Sequence, residues 1–197
     1  MRYMYLALIN NGYIDRNKCI CKLKIPLKIK IFMLYLFKGV VLTKDNLARR
    51  NWNGSLRCSF CLKNESIQHL FFDCHFVKFL WRAVQFSFGF NLPVSVSYIF
   101  DGWLLGVDKK MSKLILVGAS TICWAIWLSR NDIDFDKSPS FSYMQVIFRA
   151  THWLRFWAQL QRCEDDEEFL KVACRKLETT AMQLFANYGW RFTNRLQ

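Results

Sequence analysis

A chain of 197 residues that is 53% hydrophobic and 17% aromatic has the length and the apolar side chains for a real core, which excludes a disordered tail. Its net charge of +13 is unevenly held, since residues 1–50 carry eleven Lys and Arg against only Asp15 and Asp45. A basic excess gathered in one segment is the footprint expected for phosphate backbones; the plainer reading is a solvated face that aids solubility.

Eight cysteines stand at 19, 21, 58, 61, 74, 123, 163 and 174. The opening residues MRYMYLALINNGY do not read as a cleavable signal, because Asn10, Asn11 and Gly12 break the apolar run. An even cysteine count without a secretory signal favours thiols and metal over a disulfide framework, so the expected location is nucleus or cytoplasm.

In chain order, Pro26 opens the run LKIKIFMLYLF, where period alone does not separate helix from strand; proline suits a first turn, and a helix is expected. Thr43 or Asp45 can cap a short basic helix through Leu47, Ala48, Arg49 and Arg50. Ser66 is the expected cap of a helix running to about Phe86, with Leu70, Val77, Leu80, Trp81 and Val84 facing inward. Asn91–Ser97 reads as a connection. It divides the chain into a zinc-binding-like domain over 1–90 and a helical region over 98–197.

Leu114–Leu128 has no charge, but a membrane span needs about 20 residues, so this run is expected to be the centre of a buried core helix over Lys113–Asn131. Asp132–Ser142, with Pro139, reads as a connection. Val146, Ile147, Ala150, Trp153, Leu154, Trp157 and Leu160 then recur at helical spacing, as do Leu170, Ala173, Cys174, Leu177, Ala181, Leu184 and Phe185. An acidic turn at Glu164–Glu168 is expected to join the two helices into an antiparallel hairpin, and Gly189 to stop the second. The fold class is therefore mostly α: a small helical domain bearing a zinc knuckle, then an amphipathic helical region ending in an antiparallel helix hairpin.

The chemistry lies in Cys58, Cys61, His69 and Cys74, spaced C-x2-C-x7-H-x4-C. Zinc takes four ligands in a tetrahedron, and three thiolates with one imidazole fill it. No open position remains for a water, so such a Zn(2+) site is structural rather than hydrolytic. The competing reading is ordinary buried thiols. His75 is a weaker ligand than Cys74, since its spacing from His69 points it elsewhere. Cys19 and Cys21 lack partners nearby, and Cys123, Cys163 and Cys174 fall on apolar helix faces as core residues. Paired aspartates at a strand turn, a Gly-rich phosphate loop and G-x-S-x-G are all missing, so no enzyme activity and no small-molecule substrate are expected.

These residues are similar to a known family. The zinc segment, with Glu65 four before His69, then His69-Leu70-Phe71, Cys74 and Trp81, resembles the reverse-transcriptase zinc-binding domain of plant non-LTR (LINE-type) retrotransposons. Lys24-Ile-Pro26-Leu-Lys28 with Phe32 resembles the family's lead-in, as do Thr43, Leu47 and Arg50 the element before its first cysteine. Trp124-Ala-Ile-Trp127, Arg130-Asn131 and Phe135 resemble a stretch that follows in such polyproteins. Cys21 and Leu34 stand where the family usually has Trp, as in a drifting transposon copy. The resemblance implies a nucleic-acid-binding module, a detached C-terminal piece of a polyprotein without polymerase activity.

RNA or single-stranded DNA is thus the expected partner. Lys22, Lys24, Lys28, Lys30, Lys38, Lys44, Arg49, Arg50, Arg57 and Lys63 are the candidate phosphate contacts. Phe60, at the tip of the C-x2-C turn, either stacks on an unpaired base or packs beneath the knuckle. The alternative is a helical structural or interaction protein whose zinc only stabilises the fold, with a protein partner on the C-terminal helices.

Overall fold

The computed structural model describes residues 19–135 and 142–193. The signal-peptide reading of the opening residues, and the part of the second connection that holds Pro139, lie outside them. The described residues are mostly helical and contain no strand, only an isolated antiparallel bridge between Arg57 and Asn64.

After a helical turn at 19–22, α1 spans Leu27–Phe37. Pro26 is its N-cap residue, and Ile29, Phe32, Met33, Leu34 and Leu36 are buried. Gly39 ends it in the left-handed conformation at φ 71°. The short α2, Lys44–Ala48, follows Thr43, whose hydroxyl donates to Asp45 at 2.5 Å instead of capping the backbone.

The single helix expected from Ser66 to Phe86 is broken. A π-helical turn occupies His69–Asp73, Cys74 is extended at ψ 133°, and α3 restarts over His75–Phe88. Ser66 does cap the first piece, accepting the His69 N–H at 3.1 Å. The inward-facing set is as expected, with Leu70, Val77, Leu80, Trp81 and Val84 all buried. Gly89, at φ 74°, closes α3.

Asn91–Ser95 is a connection, and Ser95 caps α4, Val96–Asp101. Asp108 caps α5, Lys109–Asp134, by accepting from the N–H groups of Lys110 and Met111. This helix is long and apolar enough to cross a membrane, but 61% of its most apolar window is buried inside the protein. A capping box of Ser142 and Gln145 starts α6, Tyr143–Ala158.

The last helix, α7, spans Glu164–Thr193. The acidic run is therefore its first turn rather than the loop, where carboxylates meet the positive end of the helix dipole. Residues 159–163 make the connection, and Cys163 lies there, half-buried, rather than on a helix face. The helix also runs through Gly189, because glycine permits a left-handed stop without imposing one. α6 and α7 form the expected hairpin, and α5 packs against α6.

One hydrophobic cluster joins these elements. Phe32 of α1 packs edge-on against Trp124 of α5 at 5.1 Å. Trp81 of α3 donates its indole N–H to the Phe71 carbonyl at 2.8 Å and meets Trp103 at 6.0 Å. These contacts clamp the turn that carries His69 and Cys74 against the helical body.

Candidate metal centre

The centre is built from a miniature hairpin and the broken helix. Cys58 donates its N–H to Lys63 O and Glu65 to Leu56 O, each at 2.8 Å, so residues 56–58 run antiparallel to 63–65. The tight turn between them presents Cys58 and Cys61 on one side.

His69 and Cys74 need a different device. In a regular α-helix, five residues leave two side chains about 140° apart. Here the Cys74 N–H bonds to the carbonyl of His69, five residues back, at 2.8 Å, and the chain then opens at Cys74. The widened turn brings both side chains to the same point, a use typical of single π turns.

The result is one cluster whose four ligand atoms all lie within 4.8 Å of one another. A tetrahedral zinc with bonds of about 2.3 Å sets sulfurs about 3.8 Å apart, so the donor set fits such an ion in number, type and spacing. Cys61 Sγ and His69 Nε2 are 3.1 Å apart, which makes Nε2 the inward nitrogen. Cys58, His69 and Cys74 are buried and Cys61 is half-buried. His75 is exposed and outside the cluster, as its spacing implied.

The thiols already differ in charge preference. A hydrogen bond from Cys74 brings the Cys58 thiol down to about 6 against the opposing effect of burial, and the Phe60 N–H, 3.4 Å from Cys58 Sγ, adds to this. Cys74 is pushed up by the same shared proton and by its burial, and Cys61 is raised by burial. Crowded thiols of this kind are the arrangement a cation relieves.

Behind the cluster lies Glu65, with a fully buried side chain. Its carboxylate accepts the Lys44 N–H at 2.9 Å and pairs with Arg130 Nη2 of α5 at 2.7 Å. Arg130 also meets Asp134 at 3.0 Å and stacks over Trp127 at 5.2 Å. Asp134 in turn accepts from Ser59, inside the C-x2-C turn, at 2.6 Å, and pairs with Lys44 at 3.1 Å. Sequence reasoning missed this network. It named Glu65 and Arg130-Asn131 as separate marks of resemblance, and nothing local links residues 65 positions apart.

Of the candidate phosphate contacts, Lys22, Lys24, Lys28, Arg49, Arg50, Arg57 and Lys63 are exposed. The Lys28 ammonium lies 5.4 Å from the Trp124 ring centre, and Lys30 donates to the Cys21 carbonyl at 2.8 Å. The bridge sets Arg57 opposite Asn64, with Lys63 the next residue along the facing segment. Lys44 is used internally instead, with its side chain 11% exposed. Phe60 stacks on Phe76 at 4.6 Å, and Phe76 on Tyr143 at 4.5 Å, so one ring face supports the knuckle from below.

Residues 1–81 match the family model described as zinc-binding in reverse transcriptase. The match ends at Trp81, short of the stretch around Arg130 whose side chain completes the Glu65 site. No curated protein and no solved structure matches the chain.

Proposed function

We propose that this chain, whose first 81 residues match the reverse-transcriptase zinc-binding family, is a zinc-stabilised module that binds single-stranded RNA or DNA and carries no catalytic step of its own. The observation that carries the reading is the join between the metal cluster and its surroundings. Residues 49–63, which lead into and include the C-x2-C turn, hold four exposed cations and no carboxylate.

Cys58, Cys61, His69 and Cys74 would hold the zinc. The ion would supply folding energy and geometry rather than a reactive water, because the protein side chains fill its coordination sphere. Arg49, Arg50, Arg57 and Lys63, with Lys22, Lys24 and Lys28, would meet phosphates. The match over residues 1–81 supports a place beside a reverse transcriptase, as a piece of such a polyprotein, and the expected location is nucleus or cytoplasm.

The test is binding of a labelled single strand at low and at moderate salt. Neutralising Arg49, Arg50, Arg57 and Lys63 together should weaken binding and flatten its salt dependence, since each phosphate contact adds about 0.7 to the slope for single strands. Wild-type protein that fails to bind at low salt would refute the proposal.

A second reading rests on the C-terminal hairpin. Phe148 and Phe156 of α6 and Phe169, Val172, Met182 and Phe185 of α7 are large apolar side chains at least 38% exposed. They favour a protein partner on the hairpin. Loss of self-association or pull-down when Phe156 and Phe185 become serine would support this reading.

A further inference from the structure

The segment joining α2 to the metal hairpin is exposed at every residue from Arg49 to Arg57, yet it is conformationally defined. It begins with a Schellman turn: Trp52 donates its N–H to Leu47 O at 3.2 Å, and Asn51 to Ala48 O at 3.0 Å. Asn51 sits at φ 64°, a left-handed conformation that asparagine tolerates better than most residues. This turn throws Trp52 outward, 41% exposed. Its ring then folds back over Gly54. A Cβ at Gly54 would lie 1.9 Å from Cζ2 and 2.2 Å from Cη2 of the indole, so only glycine leaves room for it.

The indole is thus backed by bare main chain and flanked by Arg49, Arg50 and Arg57, and no acidic residue lies between 49 and 63. Rigid aromatic faces among cations are how sequence-tolerant single-strand binders hold unpaired bases. We propose that Trp52 is a stacking platform for an unpaired base of single-stranded nucleic acid, held in position by Gly54. This rests on the nucleic-acid reading and adds the contact that would distinguish single strands from duplex.

The experiment is fluorescence anisotropy with a labelled oligopyrimidine strand and the same strand carrying abasic sites, both at low salt. Trp52→Ala and Gly54→Ala should each weaken binding of the intact strand by about fivefold or more, with the salt dependence unchanged. Trp52→Phe should retain most of the affinity. Wild type should discriminate against abasic sites, and Trp52→Ala should not. Both residues are exposed, so zinc content and helical circular dichroism should match wild type and certify the fold. If Trp52→Ala binds like wild type while neutralising the neighbouring arginines abolishes binding, the platform is wrong and the nucleic-acid reading stands. Absence of binding by wild type overturns both.

Discussion

The Glu65 carboxylate and the Arg130 guanidinium meet at 2.7 Å with their side chains 0% and 5% exposed, so the metal hairpin is bolted to the end of α5 by a buried ion pair. Removing one partner strands the other charge in a dry site, at a cost of about 3–5 kcal/mol. Arg130→Met should lower the urea-derived stability by that order. Adding Glu65→Gln to Arg130→Met should cost less than the two single effects combined, because the stranded charge is gone. Additive costs in that cycle would refute the coupling. A fragment ending at residue 90 lacks Arg130, and its unfolding midpoint should fall below that of the full chain.

Removing the metal should be more damaging than any single core change. Structural zinc contributes about 10–16 kcal/mol in finger peptides. Purified protein should contain one zinc per chain, and Cys61→Ser or Cys74→Ser should lose it. Chelation should broaden or abolish the thermal transition seen by circular dichroism. Full zinc occupancy in Cys74→Ser would show that the buried third thiolate is not a ligand.

Trp81 buries its ring beneath the turn that holds two ligands and satisfies the Phe71 carbonyl. Trp81→Ala should therefore cost about 3–5 kcal/mol. It should also weaken zinc retention against a competing chelator. Trp81→Phe keeps most of the packing but orphans the carbonyl, and should fall between the two in a denaturant titration.

A chamber of about 310 Å³ lies among α3, α5, α6 and α7, and Gly118 of α5 is one of its walls. A Cβ placed there meets nothing within 4 Å. Gly118→Ala should raise stability by about 1 kcal/mol, since alanine removes the helix penalty of glycine and its methyl clashes with nothing. An unchanged or lower melting temperature would count against this.

Glu178 on α7 accepts from Arg155 Nη2 at 2.6 Å and from the Thr151 hydroxyl. Burial opposes its ionisation, but the Arg155 and Thr151 hydrogen bonds outweigh it and hold the carboxyl below its ordinary value. A carboxyl depressed in the folded state stabilises the fold above its unfolded pKa, and that stabilisation is lost as pH falls through the folded value. Wild type should exceed Glu178→Gln in stability at pH 7 by no more than about 1 kcal/mol, given the exposure of Arg155. The difference should shrink as pH falls below the ordinary carboxylate range. A gap that widens on acidification would contradict the assignment.

Much of the candidate site is legible in the sequence, because zinc chemistry is written in short-range spacing. C-x2-C can close only a tight turn, and a histidine and a cysteine within one helical start can reach the same ion. The helical repeats of 146–160 and 170–185 carried the hairpin for a similar reason: a period of 3.6 turns apolar residues to one side whatever they face. What spacing could not convey was how His69 and Cys74 converge, since a regular helix sets them apart and only the π turn with an extended Cys74 unites them.

The remaining features belong to contacts between distant segments. Glu65 stands in the sequence only as a mark of resemblance, and it is buried because Arg130 arrives from α5. Lys44 looked like a phosphate ligand, and it is tied to Asp134. Trp52 drew no notice, because its setting depends on a left-handed Asn51 and a bare Gly54. The ligand set and helix periods arise from local geometry, which order along the chain encodes directly. Which charge is buried, which is paired and which faces solvent is settled only when α5 and the Lys44 segment pack against the metal hairpin.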